Sequence, residues 1–188
     1  MRRVMLFVLL VFVSGCAGKT ILYINKDANF SYIQKVAVLP FNNLSDDRFA
    51  GERVKNALIV ELMSRQAFDV MEQGEVSKVL NVVFRDIGIE EGKAVEVDKE
   101  TLKLIGERLG VQAVILGSVD EYTGKSSGRM NVVALSIRMI DANSGIVLWQ
   151  ARAASSGGSV WRKMVGIDDI DISELTPMAV KKALDTLL

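Results

Sequence analysis

LIGERLGVQAVILGSV, residues 104–119, carries the chain from a helix into a strand through one glycine. The helix is KETLKLIGERL, in which Leu102, Ile105 and Leu109 recur at helical spacing. Asp98 stands where an N-cap belongs, and Gly110 stands where a left-handed residue ends a helix. VQAVILGSVDEYT, Val111 to Thr123, then reads as a long strand.

Working upstream, KVAVLPF (35–41) is short, β-branched and closed by Pro40, as a buried strand is. NNLSDD (42–47) is a polar turn. A helix is predicted from Phe49 to Arg65, with Val54, Ala57, Leu58 and Leu62 on one face. AFDVME (67–72) reads as a second short strand. A helix from Glu75 to Phe84 follows, with Val76, Val79, Leu80 and Val83 inward, and the charged, glycine-punctuated residues 85–97 read as a loop.

Downstream, MNVVALSIRMID (130–141) and IVLWQARAAS (146–155) form a hairpin across DANSG. Arg138 and Gln150 mark its more exposed registers. Residues 160–175 carry no clear period. Thr176 and Pro177 open a last helix with proline at its first position, and Val180, Ala183, Leu184 and Leu187 form its buried face. The order β-α-β-α-α-β-β-β-α predicts an α/β fold. Early parallel pairing and the late antiparallel hairpin make one mixed sheet with helices packed on it.

The chain opens MRRVMLFVLLVFVSGC. Arg2 and Arg3 precede the apolar run Val4 to Val13, which would span roughly 15 Å as a helix, about half a bilayer core. That length suits a secretory signal and is too short for a membrane-spanning helix. Val13-Ser14-Gly15-Cys16 resembles the lipobox of bacterial lipoproteins. The resemblance implies a diacylglycerol thioether on Cys16, cleavage before it and N-acylation of the new terminus. More than one acyl chain makes such an anchor stable. Ala17, in place of an aspartate that would retain the protein in the inner membrane, implies the outer membrane, with the domain facing the periplasm. The expected organisation is a signal peptide (1–15), a lipidated cysteine with a short apolar tether (16–34), and one α/β domain (35–188).

Composition narrows the chemistry. The chain has 23 basic and 23 acidic side chains, one cysteine and no histidine. Loss of Arg2 and Arg3 would leave it slightly acidic, so no basic field gathers nucleic acid. Without histidine there is no Ser-His-Asp triad and no His-ligated zinc. GKSSG (124–128) lacks the phosphate-loop spacing and lies between two strands. DDIDISE (168–174) offers Asp168, Asp169, Asp171 and Glu174, yet lacks the calcium-loop pattern and reads as a solvated segment. Ser155, Ser156 and Ser159 lie among glycines without a neighbouring base. The reading is therefore of no catalytic residue, no cofactor and no metal. Trp149, on a strand, reads as core. Trp161, in the irregular segment, is a candidate interface residue.

VAVLPFNN, LIGERLGVQAVILGSV and VVALSIRMIDANSGIVLW, in this order and spacing, resemble the curli-secretion lipoprotein family (CsgG-like). They also resemble related small periplasmic domains with an anticodon-binding-like α/β fold. Those are the amino-terminal domain of the Tol translocation protein and the lipoprotein activators of cell-wall synthases. The resemblance implies a non-enzymatic module that binds envelope proteins and associates with its own copies. The turns at 123–129 and 141–145 are too short for the membrane hairpins of a secretion pore. The expectation is an assembly or secretion accessory; the alternative is a regulator of an envelope enzyme such as a cell-wall synthase.

Overall fold

The computed structural model describes residues 20–87, 97–124, 130–158 and 170–187. Its central strand is β5 (Ala113–Thr123). The preceding helix α3 (Lys99–Leu109) starts where the Asp98 carboxylate accepts the Thr101 N–H at 2.8 Å. It ends at Gly110, whose φ of 63° is the left-handed value that glycine adopts without a Cβ penalty. The chain then turns directly into β5.

On one side β5 pairs in parallel with β2 (Lys35–Val38), and further along with the two-residue β3 (Asn42–Asn43). β2 also pairs in parallel with β4 (Asp69–Val70). On its other side β5 pairs antiparallel with β6 (Val132–Asp141), and β6 with β7 (Val147–Ser156). The sheet has seven strands, ordered β1-β7-β6-β5-β2-β4 with β3 beside β5.

Two cores lie on its two faces. Against one pack α1 (Ala50–Arg65) and α4 (Ile172–Leu184), with Val54, Leu58, Leu62, Leu175, Val180 and Leu184 meeting Ile115, Leu135, Ile137 and Trp149. Against the other pack α2 (Gln73–Asp86) and α3, with Val76, Leu80, Leu102 and Ile105 meeting Ala37, Val114 and Ile140. This is the mixed α/β architecture read from the hydrophobic pattern.

Four details differ from that reading. The expected tether contains a strand, β1 (Ile21–Ile24), antiparallel to β7 with Ile21 beside Arg152 and Ile24 beside Trp149. The fold therefore includes residues ahead of 35, because unpaired β7 backbone takes up the apolar segment as an edge strand. The last helix begins at Asp171, whose carboxylate caps the Ser173 N–H, so Pro177 lies inside the helix and not at its first position. Proline there denies a hydrogen bond to the Ser173 carbonyl, and Ser173 is solvent-exposed, where water can replace it. The strand expected over 67–72 shrinks to Asp69–Val70, because Gln66 turns left-handed at the end of α1. α2 extends through Asp86 into the expected loop, whose residues 88–96 lie outside the described set.

Ahead of β2 a 3₁₀ turn, Phe30–Tyr32, points the Tyr32 hydroxyl at the Asp141 carboxylate, to which it donates. Burial and this hydrogen bond push Tyr32 up to about 12. Asp141 is lowered: burial opposes its ionisation, but hydrogen bonds from Ser144, Tyr32 and the backbone outweigh it. A tyrosine whose folded pKa exceeds its unfolded value near 10 contributes stability below pH 10 that is lost as pH rises toward about 12. Urea unfolding across that window is expected to show a smaller loss for Tyr32→Phe than for the native chain; equal slopes would contradict the Tyr32–Asp141 contact. Gly106 of α3 lies against the turn after β6: a Cβ there would come 2.5 Å from the Ala142 Cβ. Gly106→Val is expected to lower stability by about 2 kcal/mol, read as a shift in the urea midpoint.

Candidate interaction surface

The helices cover the sheet unequally. α1 and α4 span one face, whereas α2 and α3 cover only the β2 side of the other. Beyond Leu116 that second face opens. Two cross-strand rows lie on it: Leu116, Arg138, Gln150 and Tyr23, then Ser118, Ser136, Arg152 and Ile21. Alternation puts them on the side opposite Ile137 and Ala151, which belong to the core. Arg138, Gln150 and Arg152 are exposed.

Asp120 organises the second row. The β5–β6 register shifts between Val119 and Glu121, so Asp120 occupies a bulge. Its Oδ1 accepts from the Ser118 hydroxyl at 2.8 Å and its Oδ2 from the Ser136 hydroxyl at 2.9 Å. Arg152 Nε lies 3.1 Å from the same Oδ2. Side-chain exposure is 18% for Asp120 and 58% for Arg152, so the carboxylate is shielded while the guanidinium reaches outward from it. One carboxylate thus holds side chains of three strands in a set geometry. The arrangement positions groups for recognition. The serine hydroxyls donate to a carboxylate, and the chain has no histidine to take a proton from them.

A second exposed cluster sits at the start of α1. Arg48 lies 4.6 Å from the Phe49 ring centroid and Arg53 5.9 Å, with Arg53 also 5.9 Å from the Tyr122 ring. Asp47 holds Arg53 at 2.8 Å.

Of the residues singled out from sequence, Cys16 and Trp161 lie outside the described residues, as do Ser159, Asp168 and Asp169. Trp149 is core: it is fully buried and its Nε1–H donates to the Thr186 hydroxyl at 3.1 Å. Ser155 and Ser156 end β7, and Asp171 is the α4 cap. GKSSG falls largely on undescribed residues, with β5 before it and β6 after it. Among the described residues no group of three histidine, cysteine or acidic side chains is placed to hold a metal ion, and no helix is long and apolar enough to cross a membrane. Arg138 and Gln150, marked as exposed by the strand period, are direct cross-strand partners. Asp120, Ser118, Ser136 and Arg152 were not singled out. The only trace of them in the sequence is polar residues alternating with apolar ones within strands.

The fold has solved relatives. PelC of Paraburkholderia phytofirmans, a dodecamer, superposes with a TM-score of 0.61 at 18% identity, covering 90% of this chain and 96% of its own. Lipoprotein GNA1162 of Neisseria meningitidis gives 0.50 at 19% identity, covering 70% and 90%. At these identities the likeness is one of fold. No curated protein sequence matches the chain. The sequence profile of the peptidoglycan-synthase activator LpoB matches residues 20–154, from just ahead of β1 to near the end of β7. That family is one of activators and not of enzymes, in agreement with a chain read as non-catalytic, and it favours the regulator alternative over a secretion accessory. With most of its length inside this match, the chain belongs to the peptidoglycan-synthase activator LpoB family.

Proposed function

We propose that this chain is a lipid-anchored envelope protein that activates a peptidoglycan synthase by binding it. The observation that carries the proposal is the family match over residues 20–154. In this reading Cys16 bears the acyl chains, the outer membrane holds them, and the domain faces the periplasm. The β5–β7 part of the open half-sheet is the docking surface. Arg138, Gln150 and Arg152 stand on strands, with Arg152 oriented by Asp120, so little side-chain freedom is lost on binding. Arginine is over-represented among the residues that dominate interfaces.

The anchor limits reach. Thr20 opens the described fold four residues after Cys16, a span of roughly 14 Å when extended. A synthase in the inner membrane must therefore bring its own periplasmic part to the module. That geometry differs from one in which a long linker carries the activator across the periplasm.

The test is reconstituted synthesis. The acylated full-length chain, in detergent, is added to purified peptidoglycan synthases of the same cell, and glycan polymerisation is followed. Stimulation is expected, and Arg138→Glu/Arg152→Glu is expected to raise the concentration needed by about tenfold or more with the circular dichroism unchanged. No stimulation and no synthase recovered from crosslinked membranes would overturn the proposal. Recovery of secretion components instead would favour the accessory reading.

A further inference from the structure

Edge strand β1 has a feature the docking surface does not explain. Ile21, Leu22, Tyr23 and Ile24 are 64%, 46%, 52% and 44% exposed. Among the described residues no other run of four consecutive large apolar side chains is exposed. Such a run on a free sheet edge is normally blunted by charge, proline or a covering element.

Next to it lies a groove. Ile21 sits beside Arg152, and two residues on, Ala154, Ser155 and Ser156 line a groove of about 520 Å³ with Met178, Lys181 and Lys182 of α4. Met178 is 49% exposed. Lys182 Nζ donates to the Ala154 carbonyl at 3.2 Å, and Lys181 is exposed. Among the described residues the acid lining the groove, Asp185, is held by Arg65 at 2.6 Å. The groove thus sets apolar Val132, Ala154 and Met178 beside two serines and two lysines.

We infer that the β1 edge of the sheet and this groove meet the membrane edge-on, with Ile21 and Tyr23 on one face of the edge and Leu22 and Met178 on the other at headgroup depth, and Lys181 against lipid phosphate. The inference rests on the proposed acylation of Cys16. Four residues separate Cys16 from Ile21, so the start of the strand stays within roughly 17 Å of the acylated residue's backbone even when the intervening chain is extended. A surface kept that close to a bilayer and carrying a tyrosine among aliphatic residues has the composition of an interfacial anchor. Lysines beside it keep their charge in the headgroup layer while their stems lie on apolar surface. The occupant of the edge is then lipid and not another strand.

The experiment uses the acylated full-length chain in vesicles of phosphatidylethanolamine and phosphatidylglycerol. Single cysteines at Tyr23→Cys, Met178→Cys and Asn81→Cys carry an environment-sensitive fluorophore, Cys16 being blocked by its lipid. Asn81 is exposed on α2, which packs on the β2 side of the sheet, away from β1. Headgroup-borne nitroxide is expected to quench the first two about threefold more than the third. Ile21→Asp/Leu22→Asp is expected to abolish that difference without releasing the protein from the vesicles. Equal quenching at all three sites in an acylated protein overturns the inference alone. A Tyr23→Cys disulfide dimer in place of quenching also overturns it and assigns the edge to a second copy. An N-terminal peptide without acyl mass overturns both it and the anchor.

Discussion

The structure depends on the double commitment of β5. One edge bonds in parallel to β2 and the other antiparallel to β6, and side chains of both its faces enter a core. A strand buried on both sides has to be apolar almost throughout, as Ala113 to Leu116 are, and its register is then strongly specified. Everything else follows the direction it sets. The parallel side requires crossovers, which α1, α2 and α3 supply. The antiparallel side needs only tight connections, and there the sheet runs on through β6, β7 and β1 with none of the described helices on its second face.

That asymmetry makes the candidate interaction surface. α2 and α3 can cover only what lies beneath the crossovers they belong to, so the hairpin half of the same face stays open. Arg138, Gln150, Arg152, Ser118 and Ser136 lie on it, and the bulge at Asp120 turns one carboxylate into an anchor for Ser118, Ser136 and Arg152. A sheet face with its side chains pinned across three strands is stiff. Such stiffness suits the proposed docking role. The opposite face has no such freedom, since α1 and α4 fill it with Leu58, Leu62, Leu175 and Leu184.

The helices and long strands were legible because their periods are strong. Leu102, Ile105 and Leu109 announce α3, and Asp98 and Gly110 delimit it, as the caps show. β1 was not legible as a strand: all four of its residues are apolar and exposed, so it lacks the alternation that identifies a half-buried strand. Pro177 misled because proline at a helix start is common, while here Asp171 and the exposed Ser173 let the helix begin a turn earlier. For the surface, period two sufficed to expose Arg138 and Gln150. Asp120 was hidden because its role arises from a bulge and from partners on other strands, which no local pattern encodes.

An activator influences an enzyme by contact, and in the proposed function that contact falls on the open half-face. The most direct measurement places a photo-reactive amino acid at Gln150 on that face, and separately at Ser77 on α2, in cells expressing the full chain. Irradiation is expected to join the protein to a peptidoglycan synthase from Gln150 and not from Ser77. Synthase adducts from Ser77 alone, or from neither position, would contradict the account.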